Sequence, residues 1–275
     1  MEKINFTKIV ASGNDFVVIE SGHKAQGTGF RVLAQKICNR KFAVGADGLL
    51  VIEKSNVADI KMRVFNSDGS EAEMCGNGAR CVALYISRQS ILSNSPQKRI
   101  KIETKAGIID SEVDDSNVRI KLTDPTDIKL DISIKINNRD LVVNFINTGV
   151  PHTVVFVEGL DKIDVFNLGS EIRYHKKFAP AGTNVDFVEV LSNDALAVRT
   201  YERGVEDETL ACGTGVVASA LITDYRLRVA DLERINVKTQ SGETLKVYFE
   251  RAGSGFKNVW LEGEANIVYK GEYNV

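Results

Sequence analysis

Two cysteines stand in nearly the same local sequence, Cys75 in MCGNGARC and Cys212 in ACGTGVVAS. Each precedes a Gly-x-Gly turn and a run of helical apolar periodicity, which predicts helices over about Gly76–Ser90 and Gly213–Arg228. A thiol at a helix start meets unpaired N–H groups and the positive end of the macrodipole, and both favour thiolate. The same N–H groups, here of Gly76-Asn77 and Gly213-Thr214, can hold a carboxylate, and the glycines let a ligand approach the backbone closely. One such turn would place a base beside a carboxylate clamp. Two of them, on opposite faces of one α-carbon, would supply a base on one side and an acid on the other. That is the requirement for inverting an amino-acid stereocentre, with donors stabilising the developing carbanion. Pyridoxal phosphate is the usual electron sink for this chemistry. The sequence has no evident cofactor-lysine context, so the expectation is no cofactor, with the two helix N-termini in that role.

Other readings of these motifs are weaker. CGNG and CGTG lack the lysine of a phosphate loop and do not match GxGxxG. No CxxC pair exists, and Cys38, Cys75, Cys81 and Cys212 fit no zinc spacing, so no metal is expected. Cys38 and Cys81 read as small core residues.

The elements that must position the cysteines recur. Lys41-Phe42-Ala43 returns as Lys177-Phe178-Ala179, and Gly13 of SGNDFVVIE as Gly149 of TGVPHTVVFVE, each 136 positions on. Arg63-Val64-Phe65-Asn66 returns as Arg199-Thr200-Tyr201-Glu202 at the same offset, and Cys75 as Cys212 at 137. Pairs in one order at nearly one offset, about half the chain, mark two homologous halves. Runs such as Asp15–Ile19, Leu49–Ile52, Asp59–Phe65, Thr153–Val157, Thr244–Phe249 and Val259–Val268 read as strands between Gly, Asn and Asp turns. Phe30–Arg40 and Leu160–Tyr174 read as a further pair of helices. The fold class is therefore α+β, each half made of many strands and one long helix that begins at a cysteine.

Composition bounds the rest. At 43% hydrophobic and 26% charged residues the 275-residue chain has ordinary globular proportions and length for two domains. A net charge of −2 gives no electrostatic reason to expect nucleic acid or an anionic membrane as partner. No apolar stretch is long enough to span a bilayer as a helix, and MEKINFTKIV has no secretory pattern. With four cysteines outside any disulfide pattern, the expected location is cytoplasmic.

Over essentially its whole length the sequence resembles the diaminopimelate epimerase family, through SGNDF, FNSDGSEAEMCGNGARC, GVPH, GTNVDF and YERGVEDETLACGTG. The resemblance implies epimerisation of L,L-diaminopimelate to meso-diaminopimelate, on the way to lysine and peptidoglycan, without cofactor or metal. Cys75 and Cys212 would be the acid–base pair. Gly76, Asn77, Gly213 and Thr214 would bind the carboxylate at the reacting centre. Asn14, Asn66, Asn184 and Arg203 would bind the distal amino-acid group, Arg203 its carboxylate. Glu202 would be the acidic site residue and His152 a supporting one. The three asparagines also sit in turn-like contexts, so turn formation is their competing role. The fold implied is two homologous mixed α/β domains related by a pseudo-twofold axis, each a strand barrel around a central helix. The halves would be 1–120, joined by a returning C-terminal strand at 265–275, and 121–264. A homodimer is implied too. Many members of that family have glutamine where this chain has Gly48 and asparagine where it has Val150. Distal specificity here would then rest on Arg203 and the three asparagines.

Two rival functions belong to the same sequence. A sibling racemase would act on histidine, glutamate or proline. A non-catalytic amino-acid binding protein would keep the cleft, but a related isomerase-like branch keeps the fold without a cysteine pair. Retention of both cysteines therefore argues for catalysis.

Overall fold

The computed structural model describes residues 3–22, 29–92, 98–228 and 233–274. In chain order the elements are β1 (Lys3–Ala11), β2 (Asn14–Glu20), α1 (Gly29–Ile37), β3 (Gly48–Glu53), β4 (Ile60–Asn66), β5 (Glu71–Ala72), α2 (Gly76–Leu92), β6 (Arg99–Thr104), β7 (Gly107–Asp114) and β8 (Asn117–Lys121). There follow β9 (Thr126–Ile136), β10 (Arg139–Asn147), β11 (Pro151–Phe156), α3 (Val165–Arg173), β12 (Asn184–Ser192), β13 (Ala195–Glu202) and β14 (Asp207–Thr209). The chain ends with α4 (Gly213–Leu227), β15 (Arg234–Lys238), β16 (Thr244–Ala252), β17 (Gly255–Glu264) and β18 (Asn266–Asn274). They form two compact units, Met1–Ile120 with Gly263–Val275, and Lys121–Glu262.

The first unit pairs its strands in the order β18-β1-β2-β3-β4-β6-β7-β8, with β5 folded back on β4. The second runs β9-β10-β11-β12-β13-β15-β16-β17, with β14 folded back on β13. The succession of antiparallel and parallel pairings is identical. β2–β3 and β4–β6 are the parallel pairs in one unit, and β11–β12 and β13–β15 in the other. Matched in this way, β18 takes the place in its unit that β9 takes in the other.

Each unit wraps its strands around one helix, α2 or α4. Helix α2 is buried continuously from Gly78 to Tyr85, and α4 from Gly215 to Asp224. A helix apolar on all sides belongs in a core, and the small residues of GARCVA and GVVASA let strands surround it closely. Shorter α1 is amphipathic and packs Phe30, Leu33, Ala34 and Ile37 on the outer face of β1–β4, against Val17, Ile19, Leu49, Val51 and Phe65. Helix α3 does the same in the second unit, with Val165 and Ile172 against Val155, Val185, Phe187 and Tyr201. The inner strands are thus covered on both faces, and for that reason FVVI and LLVI read as unbroken runs rather than alternations, and VDFV as a run interrupted only by Asp186.

Three boundaries differ from those read in the sequence. Helix α1 stops at Ile37, not Arg40. Leu160–Lys162 is a separate short turn, and α3 starts at Val165 after Asp164, whose carboxylate accepts from the Asn167 N–H at 3.1 Å. The run Val259–Val268 is split at Ala265 into β17 and β18, which belong largely to different units. Among the described residues no helix is long and apolar enough to cross a membrane.

Candidate active site

In the first unit Cys75 immediately precedes α2. Its carbonyl accepts from the Ala79 N–H at 2.8 Å, and its Sγ accepts from the Gly78 N–H at 3.4 Å. Asn77 is buried, and its Oδ1 accepts from Arg80 Nη2 at 2.6 Å. Arg80 has no exposed surface and also donates to Ser12 Oγ at 2.8 Å and to the Glu264 carbonyl at 3.4 Å. A buried guanidinium thus fixes the first turn of the helix that follows Cys75.

Asn14 begins β2. Its Nδ2 donates to Asp47 Oδ2 at 3.3 Å, and its Oδ1 is buried without a hydrogen bond among the described residues. Behind it stands a charge cluster. Arg40 bridges Asp15 and Asp47 at 2.6 and 2.7 Å, and Lys8 pairs with Asp15 at 2.7 Å. Burial pushes the Asp15 carboxyl up, but the hydrogen bonds from Arg40 and Lys8 outweigh it and hold the group well below the usual carboxylate range. Asn66 closes a turn, its N–H and Nδ2 donating to the carbonyl and hydroxyl of Ser70 at 2.8 and 2.9 Å. Gly48 lies opposite both Asn66 and Phe16. A Cβ there would come within 2.8 Å of the Phe65 carbonyl oxygen, so a longer side chain requires the backbone to shift.

In the second unit Cys212 is the N-cap of α4, with extended backbone at φ −105° and ψ 111°, and its carbonyl accepts from the Val216 N–H at 2.9 Å. Its Sγ lies 3.5 Å from Thr214 Oγ1. Burial raises the Cys212 thiol well above its ordinary pKa, and the charges of Glu202 and Asp186 raise it further. The Thr214 hydroxyl and the Gly215 N–H pull the other way and do not prevail. Here the structure departs from the sequence argument that a helix start lowers a cysteine's pKa. Taking a thiolate out of water beside two carboxylates costs more than the helix start returns. Burial likewise pushes the Glu202 carboxyl up, with Thr209, His152 and the Cys212 thiol drawing it down.

His152 is fully buried on β11. Its Nδ1 lies 2.8 Å from Asp186 Oδ2 and its Nε2 3.0 Å from Thr214 Oγ1. Asn184 Nδ2 donates to the Pro151 carbonyl at 3.1 Å, and Asn184 Oδ1 accepts from the Arg203 N–H at 2.8 Å. Arg203 Nη1 reaches the Ala181 carbonyl at 3.2 Å.

The second unit therefore gathers Cys212, Thr214, His152, Asn184, Glu202 and Arg203. The first gathers Cys75 with Asn77, and Asn14 beside Asp47. Asp186 and Arg80 were missed in the sequence. Asp186 left a signal, as one acid within the apolar run NVDFV. Among the described residues no group of three or more His, Cys, Asp or Glu side chains is arranged to hold a metal ion.

A family profile described as diaminopimelate epimerase matches this chain twice, over residues 6–128 and 144–268. The diaminopimelate epimerase of Aquifex aeolicus is 42% identical, the match covering 98% of this chain and 97% of that one. That of Methanocella arvoryzae is 40% identical over 100% and 98%. Among solved structures, a phenazine biosynthesis protein of the PhzF family from Bacillus anthracis superposes with a TM-score of 0.75 at 21% identity, covering all of both chains. A hydroxyproline epimerase from Agrobacterium vitis, with trans-4-hydroxy-L-proline bound, gives 0.71 at 16% identity over 98% of this chain and 92% of that one. At these identities the two structures establish a shared fold.

Proposed function

The chain belongs to the diaminopimelate epimerase family, and we propose that its isomerisation of L,L-diaminopimelate to the meso form runs through Cys75 and Cys212. The observation that carries this reading is the duplicated helix start. Each CGxG segment sets its cysteine immediately before a buried helix, with first-turn groups on the sulfur: the Gly78 N–H on Cys75 and the Thr214 hydroxyl on Cys212. One sulfur, as thiolate, takes the α-proton, and the other, as thiol, returns a proton to the opposite face. The electron pair left on the α-carbon is shared with the substrate carboxylate. The N–H groups of Gly76, Asn77, Gly213 and Thr214 stabilise that charge. In the reverse direction the two sulfurs exchange roles.

At the far end of the substrate, Arg203 supplies a fork for the distal carboxylate. The buried Oδ1 of Asn14 is an acceptor suited to the distal ammonium group. Asn66 and Asn184 complete that end. Glu202 and His152 support Cys212, with which they share one hydrogen-bonded cluster. A homodimer and a cytoplasmic location belong to the same reading, and sedimentation velocity tests the first.

The test is proton NMR of L,L-diaminopimelate in D2O with reduced enzyme and no added cofactor. The expected result is loss of the α-proton signal as the meso isomer appears. No exchange, followed by exchange of histidine, glutamate or proline in its place, would move the chain to a sibling racemase. Silence on all four would leave the binding-protein reading.

A further inference from the structure

A carboxylate with no exposed surface stands at the end of a hydrogen-bonded chain that leads to Cys212. Asp186 Oδ2 meets His152 Nδ1 at 2.8 Å, His152 Nε2 meets Thr214 Oγ1 at 3.0 Å, and Thr214 Oγ1 meets Cys212 Sγ at 3.5 Å. The other Asp186 oxygen accepts from the Thr200 hydroxyl at 2.8 Å, so both oxygens are engaged. Gly215 makes room for it, since a Cβ there would lie 2.3 Å from Asp186 Oδ1.

The duplicated half shows that the fold does not require this arrangement. Pairing registers match His152–Asn184 and Asp186–Thr200 in the second unit to Phe16–Gly48 and Leu50–Val64 in the first. There the counterparts of His152, Asp186 and Thr200 are Phe16, Leu50 and Val64, all buried and apolar. The contact that Asp186 makes beside Gly215 is made by Leu50 beside Gly78. A buried carboxylate and imidazole cost free energy that an apolar trio avoids, so their presence on one side only calls for a functional reason.

We propose that Asp186 is a positioning residue for Cys212, acting through His152 and Thr214. This rests on the reading of Cys212 as one of the two acid–base groups. Asp186 Oδ2 accepts a hydrogen bond from the Nδ1–H of His152 and leaves Nε2 as an acceptor. The Thr214 hydroxyl then donates to Nε2 and turns its oxygen lone pairs to the Cys212 S–H. The chain of donors then runs from sulfur to carboxylate and holds Cys212 as an oriented thiol, with Glu202 as the other ionisable group beside the sulfur. The Thr214 hydroxyl lowers the thiol's pKa only when it turns to donate to sulfur. When Cys212 has given its proton to the substrate, the Thr214 hydroxyl can turn and donate to the sulfur instead. One hydroxyl thus serves both protonation states, and Asp186 sets which is preferred at rest.

Asp186→Asn keeps the volume and the Thr200 bond but presents an amide N–H to His152 Nδ1, which reverses the chain. The chain has only three histidines, so 15N-histidine NMR can assign the His152 tautomer. The expected result is Nδ1–H in the wild type and Nε2–H in Asp186→Asn. The pH midpoint for iodoacetamide labelling of Cys212, followed on its peptide by mass spectrometry, should fall by about one pH unit or more. The kcat should drop on the order of tenfold or more, with KM nearly unchanged. Thr214→Val should also move the Cys212 profile, and Thr214→Ser should restore it, so the proposal stays testable if Asp186→Asn folds poorly. A wild-type His152 protonated on Nε2, or a Cys212 profile unmoved by both Asp186→Asn and Thr214→Val, would overturn it. An active Cys212→Ala enzyme would instead remove the catalytic reading and leave the tautomer result standing.

Discussion

The two CGxG cysteines share a motif but not an environment. Cys75 precedes a turn fixed by the cation Arg80, whereas Cys212 shares its cluster with the acids Glu202 and Asp186. The motif itself is local, so Cys75, Cys212 and the helix starts after them were legible in the sequence. Arg80 and Asp186 were not, because their roles depend on partners far away in sequence, Ser12 and Glu264 for one, His152 and Thr200 for the other. At this scale the account predicts that Cys75→Ala and Cys212→Ala each abolish epimerisation. Cys38→Ala and Cys81→Ala, changes in the core, should retain kcat while lowering Tm. Coupled epimerase assays and thermal melts check both, and near-wild-type turnover by Cys75→Ala would break the mechanism.

At the scale of elements, α2 and α4 were legible from periodicity and the CGxG turns. The break at Ala265 was not, since apolar alternation continues through it and only pairing partners reveal two strands. Helix α3 was placed too early, because Leu160 and Ile163 stand at helical spacing in a separate short turn, while the true cap is Asp164. Asp164→Ala should remove the cap on the Asn167 N–H, lowering Tm while leaving kcat unchanged, as calorimetry and assay together would show. Leu221→Ala, within buried α4, should cost about 2–5 kcal/mol. The strand pair β4–β5 carries a pH signature. Hydrogen bonds and charge from Arg63 and Lys105 outweigh burial and hold the Glu71 carboxyl at about 2, below its ordinary 4.5. A carboxyl depressed in the fold stabilises it above the unfolded pKa, and that stabilisation is lost as pH falls from about 4.5 towards 2. Glu71→Gln should therefore be less stable than wild type at pH 7, with the gap closing over that window. A gap independent of pH would assign the loss to packing.

At the scale of the whole molecule, the constant offset of about 136 positions made the duplication legible, and the pairing order repeats it strand for strand. The role of β18 as the first unit's counterpart of β9 depends on a pairing across nearly the whole chain, from Lys3 to Asn274, which no local pattern encodes. Ending the chain after Ala265 should expose the edge of β1 and abolish hydrogen-exchange protection there, while α4 stays protected. The proposed chemistry also draws on both halves, because each half contributes one CGxG cysteine, Cys75 or Cys212. The most direct test is solvent deuterium exchange by Cys75→Ala and Cys212→Ala, each offered L,L- and meso-diaminopimelate separately. The account predicts that neither variant interconverts the isomers, and that the two exchange α-protons of opposite configuration. Exchange of the same configuration by both, or interconversion by either, would contradict a proton passed between Cys75 and Cys212.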